Sequence, residues 1–346
     1  MADQTSKKRV FSGIQPSGKL HLGNYLGAIR RWVDSQDDRE SFICVVDLHA
    51  ITVFQKPEDL KSQTRELTAM LLAAGIDPQR TTLFVQSHVR AHAEGSWLLS
   101  CVTPLGWLER MTQYKSKAGK QATKQESVQT ALLTYPVLQA VDILLYDTDE
   151  VPVGEDQKQH IELARDIAQR FNHLYGTTFK LPEPKIAEVG ARIMALDDPT
   201  AKMSKSSSAA RGHAVLISDT DKEIQRSLKR AVTDSGREIE FSDAPEKAGV
   251  NNLLTIYQLM TRKGRDEVLG DFADARGYGD LKSAVADAVI EGIRPIRERY
   301  EELMADPAEL DRLLAVGAER AREVAEAKLV EVKEKMGFIV PEALRS

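Results

Sequence analysis

Apolar and polar positions along the chain fall into two regimes. Through the first two-thirds, short apolar or β-branched runs alternate with stretches of helical period, and from about Asp219 onward the helical period is almost unbroken. "KRVFSGI" reads as a first strand and "LGNYLGAIRRWVDSQ" as the helix after it. "SFICVVDLHAITV" is a continuous apolar run, the mark of a strand buried on both faces, and is taken as a second strand reaching Asp47 to His49. "PEDLKSQTRELTAMLLAAGID" is amphipathic at helical spacing and stops at Gly75; "TTLFVQS" is strand-like again, and "EVPVG" is a short strand before the helix "QKQHIELARDIAQRFN". This alternation predicts an α/β fold with a parallel sheet wrapped by helices. The expected division is a nucleotide-binding α/β domain over residues 1–215 and an all-helical domain over 216–346.

One helix breaks the ordinary pattern. From about Pro136 to Tyr146 it is apolar almost all round and should be buried, yet Tyr135, Gln139, Asp142 and Tyr146 align along one face. A polar stripe on a buried helix is either paired internally or lines a cavity. Asp142 is its sharpest element, because a carboxylate in apolar surroundings needs a hydrogen-bond donor or a cation. It reads either as a recognition group for an N–H or ammonium or as part of a structural network.

Three other stretches carry candidate chemistry. Gly13-Ile-Gln-Pro-Ser-Gly18-Lys19 matches the start of a phosphate-binding P-loop, but Leu20 stands where Ser or Thr should hold magnesium. The same stretch is a strand, a turn, then His21 and Gly23-Asn24 opening a helix, which aims free N–H groups over the sheet edge where anions bind. His21 and Asn24 offer hydrogen bonds to phosphate oxygens; the plain alternative is a glycine-rich connection with a polar cap. In "AKMSKSSS", Lys202 and Lys205 sit three residues apart among small residues, able to follow charge developing on a triphosphate or simply to be solvated. After "EVPVG", Gly154, Glu155, Asp156 and Gln157 enter a helix at the carboxyl end of a strand, where ribose hydroxyls and ammonium groups are held in open α/β sheets, and where Glu155 and Asp156 also suit a helix start.

Composition narrows the class. Of 346 residues, 42% are hydrophobic and 29% charged, which fits a globular enzyme and not extended disorder. No apolar run approaches the roughly 20 residues that cross a bilayer, and "MADQTSKKRVF" lacks the apolar core of a signal peptide, so a cytoplasmic protein without a membrane partner is expected. Cys44 and Cys101 are too few for a disulfide framework or a thiolate metal cluster. A formal net charge of −5 argues against indiscriminate nucleic-acid coating but leaves room for a local basic groove.

Taken together, the motifs resemble a known family. Pro-x-Gly-x-x-His-Leu-Gly-Asn near the N-terminus with Lys-Met-Ser-Lys-Ser near residue 200 is similar to the two signatures of class I aminoacyl-tRNA synthetases. Within that class, "FSGIQPSGKLHLGNYLGAI", "VVDLHAITV", "LLTYPVLQAVDILLY", "VPVGEDQKQHIELARDIAQRFN" and "VGARIMALDDPTAKMSKS" look like the bacterial tryptophanyl-tRNA synthetase family, over Val10 to Gly337. The resemblance implies a Rossmann-type catalytic domain joined to a helical anticodon-binding domain, in a homodimer that uses ATP with Mg2+ to adenylate L-tryptophan and transfer it to tRNA(Trp). Carried onto this chain, it implies that Gln15, Pro16, Ser17, Gly23 and Asn24 hold ATP, that Gly154, Glu155 and Asp156 hold ribose and adenine, and that Ile193 meets adenine through its backbone. Lys202, Met203, Ser204, Lys205 and Ser206 would close over the triphosphate with Lys117 as a weaker candidate, and Lys202, Lys205, His21 and Asn24 would be catalytic. Asp142 would accept the indole N–H, Tyr135 and Gln157 would grip the ammonium and carboxylate, and His49 and Gln139 would line the same pocket.

The resemblance also marks departures. Gln139 and Val141 stand where several members have Met and Ala, and Ser207-Ser208-Ala209-Ala210 replaces the usual continuation after the lysine signature. The tyrosine-specific relatives share the fold but carry Ser-Asp-Gln-Trp where Gly-Glu-Asp-Gln stands here. Lys222, Arg226, Lys229 and Arg230 form the best basic stripe in the helical part, suited either to phosphate contacts with tRNA or to plain solvation. Lys19, central to a P-loop reading, is expected to be an ordinary surface lysine.

Overall fold

The computed structural model describes residues 7–115, 129–186, 192–204 and 212–342. Five strands, β1 (Lys8–Ile14), β2 (Arg39–Val45), β3 (Thr81–Val85), β4 (Glu150–Val153) and β5 (Glu183–Ile186), form one parallel sheet in the order β3-β2-β1-β4-β5. The chain steps outward from β1 to β3 and then returns to the opposite side of β1. That reversal opens a crevice at the carboxyl ends of β1 and β4.

Strand β5, which the apolar pattern does not announce, has the sequence EPKI and occupies a sheet edge. Pro184 can sit there because an edge strand has a side that needs no N–H. The second strand is shorter than expected: β2 ends at Val45, and Asp47–Ala50 is a helical turn, α3. Asp47 Oδ1 accepts the N–H groups of Leu48 and of Ser87, both at 3.0 Å, so the side chain turns the chain and ties the end of β2 to the end of β3.

Ahead of α3, the expected single helix after β1 is split into α1 (Leu22–Asn24), a π-helical turn at Tyr25–Ile29 and α2 (Arg30–Asp34). The sheet is then flanked by α4 (Pro57–Ala73), α5 (Ala91–Ser100), α6 (Leu105–Glu109), α7 (Thr130–Leu144) and α8 (Lys158–Tyr175). Helix α7 starts earlier than the expected Pro136, which lies inside it; the proline's missing N–H removes one intrahelical bond, and burial of the surrounding apolar residues outweighs that loss. Beyond come α9 (Asp221–Lys229), α10 (Ala248–Thr261), α11 (Arg265–Asp271), α12 (Tyr278–Ala305) and α13 (Pro307–Lys335). Among the described residues no helix is long and apolar enough to cross a membrane.

Strand β2 illustrates why a buried parallel strand reads as a continuous apolar run. Ile43 and Val45 join one core with Leu22 and Leu26 of the first helical segment and Leu71 of α4, while Phe42 and Cys44 join the core on the opposite face with Leu99 of α5 and Val141 of α7. Each such fully buried side chain stabilises the fold by about 1.5–3 kcal/mol. The first core continues without a break into Leu228, Leu253 and Val289 of the C-terminal helices. Helix α13 then returns to the sheet, contributing Ala318, Ala321, Ala325 and Leu329 to the second core. Its Gly317 lies so close to β3 that a Cβ there would come within 1.8 Å of the Leu83 carbonyl oxygen.

Candidate active site

At the carboxyl end of β1 the chain turns through Gln15, exposed, Pro16, buried, and Ser17, half-buried, with the Ser17 N–H donating to the Gln15 carbonyl at 2.8 Å. His21 and Asn24 then bind one another: the Asn24 N–H donates to His21 Nδ1 at 3.3 Å, and the His21 N–H donates to Asn24 Oδ1 at 3.2 Å. This reciprocal cap opens the helix and, in the neutral imidazole, assigns the ring proton to Nε2. The plain alternative of a polar cap is thus what the backbone uses these side chains for. A Cβ on Gly23 would meet His21 Nδ1 at 3.1 Å and Ile193 Cβ at 3.5 Å, so Ile193 lies directly against the first signature. Lys19 is exposed.

The second signature is built on a small hairpin. Ala195 N–H donates to the Ala201 carbonyl at 2.9 Å, Met203 N–H donates to the Ile193 carbonyl at 3.2 Å, and Met194 and Lys202 form an antiparallel bridge. Lys202 is exposed and Ser204 half-buried, while the Met203 side chain is packed into the apolar core and cannot face a ligand. Lys205, Ser206 and Lys117 lie outside the described residues. Where the chain resumes, Leu216 bridges His21 in antiparallel register, with the Leu22 N–H donating to Val215 at 2.8 Å and the Ile217 N–H to Leu20 at 3.0 Å. The segment that leaves the lysine hairpin is therefore stitched to the histidine signature, although some 195 residues separate the two in sequence.

Across the sheet crevice, Asp142 is 1% exposed. Its Oδ1 accepts from Gln86 Nε2 at 2.7 Å and from His92 Nδ1 at 2.6 Å, and its Oδ2 accepts from His49 Nε2 at 2.8 Å. Burial pushes this carboxyl upward, but the hydrogen bonds from His49 and His92 outweigh it and hold the group well below the usual carboxylate range. Because an ionised carboxylate only accepts, both imidazoles present an N–H to it. In the neutral ring His92 Nε2 then accepts from the Tyr146 hydroxyl at 2.8 Å, a phenol that burial raises well above its ordinary value. Of about four acceptor positions on a carboxylate, three are filled, and the fourth is on Oδ2.

The rest of the polar stripe continues from this network. The His49 ring meets the Tyr135 ring edge-on at 6.2 Å. The Tyr135 hydroxyl lies 3.2 Å from Gln113 Oε1 and 3.0 Å from His160 Nε2, and burial pushes its phenol up to about 12, so it stays a hydrogen-bond donor at neutral pH. Gln139 Nε2 reaches Gln157 Oε1 at 3.4 Å. Beside Gln157, Gly154, Glu155 and Asp156 are exposed at the end of β4, and Glu155 and Asp156 lie in the first turn of the short 3-10 helix that follows, the helix start that their charge suits. Solvent-facing carboxylates at a strand end suit hydroxyl and ammonium partners.

Comparison with known proteins gives the family of the chain. The family model for tRNA synthetases class I (W and Y) matches residues 3–293. The chain belongs to that family. It is similar to proteins named tryptophan–tRNA ligase from Wolinella succinogenes, 51% identical over 333 residues, and Caldanaerobacter subterraneus, 54% identical over 334 residues; each match covers 96% of this chain and 99% of the relative. Among solved structures, the tryptophanyl-tRNA synthetase of Mycoplasma pneumoniae superposes with a TM-score of 0.84 at 36% identity, covering 98% of this chain and 100% of that one. The Campylobacter jejuni enzyme, solved with ADP and tryptophan, superposes with a TM-score of 0.82 at 37% identity, covering 95% and 100%.

Two members of the site have no signal of their own in the periodicity. Gln86 directly follows β3, so its position at a strand's carboxyl end could have drawn attention to it. His92, fifty residues from Asp142, sits among small residues at the start of α5, and only the packing of α5 on α7 brings it to the carboxylate.

Proposed function

We propose that the chain is a tryptophan–tRNA ligase that activates L-tryptophan with ATP, releasing pyrophosphate, and passes the tryptophanyl group to its tRNA. The observation that carries this reading is the stitching of the segment beyond the lysine hairpin to the histidine signature at the switch point of the sheet, beside a buried acceptor network. In the first step a tryptophan carboxylate oxygen attacks the α-phosphorus and pyrophosphate leaves; in the second a terminal tRNA hydroxyl attacks the acyl carbon and AMP leaves. Gln15, Pro16, Ser17, Gly23 and Asn24 hold ATP, with His21 fixing Asn24, while Gly154, Glu155 and Asp156 take ribose and adenine and Ile193 lies against the base. Lys202 and Lys205 meet the negative charge that develops on the triphosphate, an interaction stronger in the transition state than in the bound substrate. Mg2+ enters with the triphosphate.

For the amino acid, the open position on Asp142 Oδ2 accepts the indole N–H, and Tyr135 and Gln157 hold the ammonium and carboxylate beside His49 and Gln139. A buried acceptor of this kind rejects a side chain lacking the N–H by leaving a charged group unpaired. Residues from 216 onward carry the tRNA contact, for which the exposure of Lys222, Arg226, Lys229 and Arg230 is suitable. A homodimer is supported by apolar side chains left exposed at Ile51, Val53, Phe54, Trp97 and Leu105. The cytoplasm is the compartment proposed, with Cys44 and Cys101 as free thiols. Exchange of pyrophosphate into ATP, surveyed across the amino acids, tests the proposal: exchange with tryptophan is expected, exchange with tyrosine instead would transfer it to the tyrosine-specific branch, and none with folded protein would end it.

A further inference from the structure

We infer that Asn252 is a positioning residue through which the C-terminal helices set the register of the Lys202 hairpin. Asn252 lies on α10 and is 6% exposed. Its side-chain amide pairs with both backbone groups of one residue: the Met194 N–H donates to Oδ1 at 2.9 Å, and Nδ2 donates to the Met194 carbonyl at 3.0 Å. This is the pairing a neighbouring strand would offer, and it demands an amide of this length, since a carboxylate lacks the donor and a hydroxyl cannot span both groups.

A second contact fixes the same hairpin from the same helix face. Gly249, one helical turn before Asn252, lies so close to Val232 that a Cβ would come within 2.1 Å of its carbonyl oxygen. Val232 in turn donates its N–H to the Leu196 carbonyl at 2.7 Å, and Leu196 donates to the His213 carbonyl at 3.0 Å. The strand of the hairpin that faces Lys202 is thus held at Met194 and at Leu196, and both anchors trace to α10. Met194 is also the residue directly opposite Lys202. A displacement of α10 relative to the sheet is passed to Met194 through the Asn252 amide, and its neighbours Ile193 and Ala195 are hydrogen-bonded to Met203 and Ala201 on either side of the lysine.

The inference rests on the assignment of Lys202 to the triphosphate. Pyrophosphate exchange tests it, with rates normalised to active sites counted from the burst of adenylate formation. Asn252→Ala is expected to lower kcat per active site roughly 10- to 100-fold, the scale of a misplaced catalytic group, while KM for tryptophan changes less than about twofold. Asn252→Ala added to Lys202→Ala should lower kcat less than about twofold further, because both act through one ammonium. Asn252→Ser keeps one hydrogen-bonding group beside Met194 but cannot span both, so it should fall between Asn252→Ala and the wild type, and it serves if Asn252→Ala does not fold. Wild-type kcat per active site in both variants, or losses that multiply with Lys202→Ala, overturns the inference while leaving the lysine assignment intact. Unchanged kcat in Lys202→Ala itself removes the assignment and the inference together.

Discussion

Replacing Asp142 with asparagine is the sharpest probe of the pocket, because it preserves shape while changing one oxygen to a donor. Oδ1 receives two N–H groups and Oδ2 one, so the least costly orientation keeps the amide oxygen toward Gln86 and His92 and turns the NH2 toward His49. The position open on Oδ2 then becomes a donor facing the indole N–H. Losing a buried hydrogen bond to a charged acceptor costs about 1.5–3 kcal/mol, which is about 10- to 150-fold in kcat/KM for tryptophan. The assay is pyrophosphate exchange with tryptophan and with its benzothiophene analogue, in which sulfur replaces the N–H. Wild type should favour tryptophan over the analogue by a factor of that size, and Asp142→Asn should shrink the preference to a few-fold. A preference that survives the substitution unchanged would refute a direct contact, whatever happens to the absolute rate, since general damage to the pocket affects both substrates alike.

Other expectations follow from the same geometry. Asp142 has a depressed pKa in the folded chain, so the stability it lends is complete above its unfolded value of about 3.9 and is lost as pH falls through the lower folded value; urea midpoints between pH 6 and 3 should therefore fall less steeply in Asp142→Asn than in wild type. Gly317→Ala would drive a methyl into the Leu83 carbonyl, and a loss of about 3 kcal/mol is expected in urea unfolding. Lys19→Ala should leave the KM for ATP within about twofold of wild type, because removing an exposed, solvated charge alters little; abolished ATP binding would revive the P-loop reading. Lys222→Glu with Arg226→Glu should weaken tRNA charging and flatten its salt dependence while sparing pyrophosphate exchange.

Much of this site is legible along the chain, and particular residues show where legibility stops. The alternation of strands and helices, the exclusion of a P-loop by Leu20, and the polar stripe on an otherwise apolar helix are all local patterns, governed by side-chain period and turn chemistry. Edge strand β5 escapes because a four-residue segment with a proline has no period to detect, and its place depends on a neighbour already being there. The end of β2 escapes because Asp47 is turned by a bond to Ser87, in the turn that follows another strand.

What the sequence by itself determined is the set of elements and the residue types brought to the ends of the strands: His21 and Asn24 after β1, Asp142 in α7, the carboxylates after β4. Those follow from local periodicity, which any stretch of chain expresses without its partners. Tertiary structure alone decided who partners whom. Asp142 is a stabilised carboxylate only because His49, Gln86 and His92, from three separate segments, converge on it, and the hairpin that carries Lys202 is tied at Met194 to Asn252, some fifty residues further along the chain. Long-range pairings carry no periodic signature, since they depend on distances that exist only after both sheet faces have been buried.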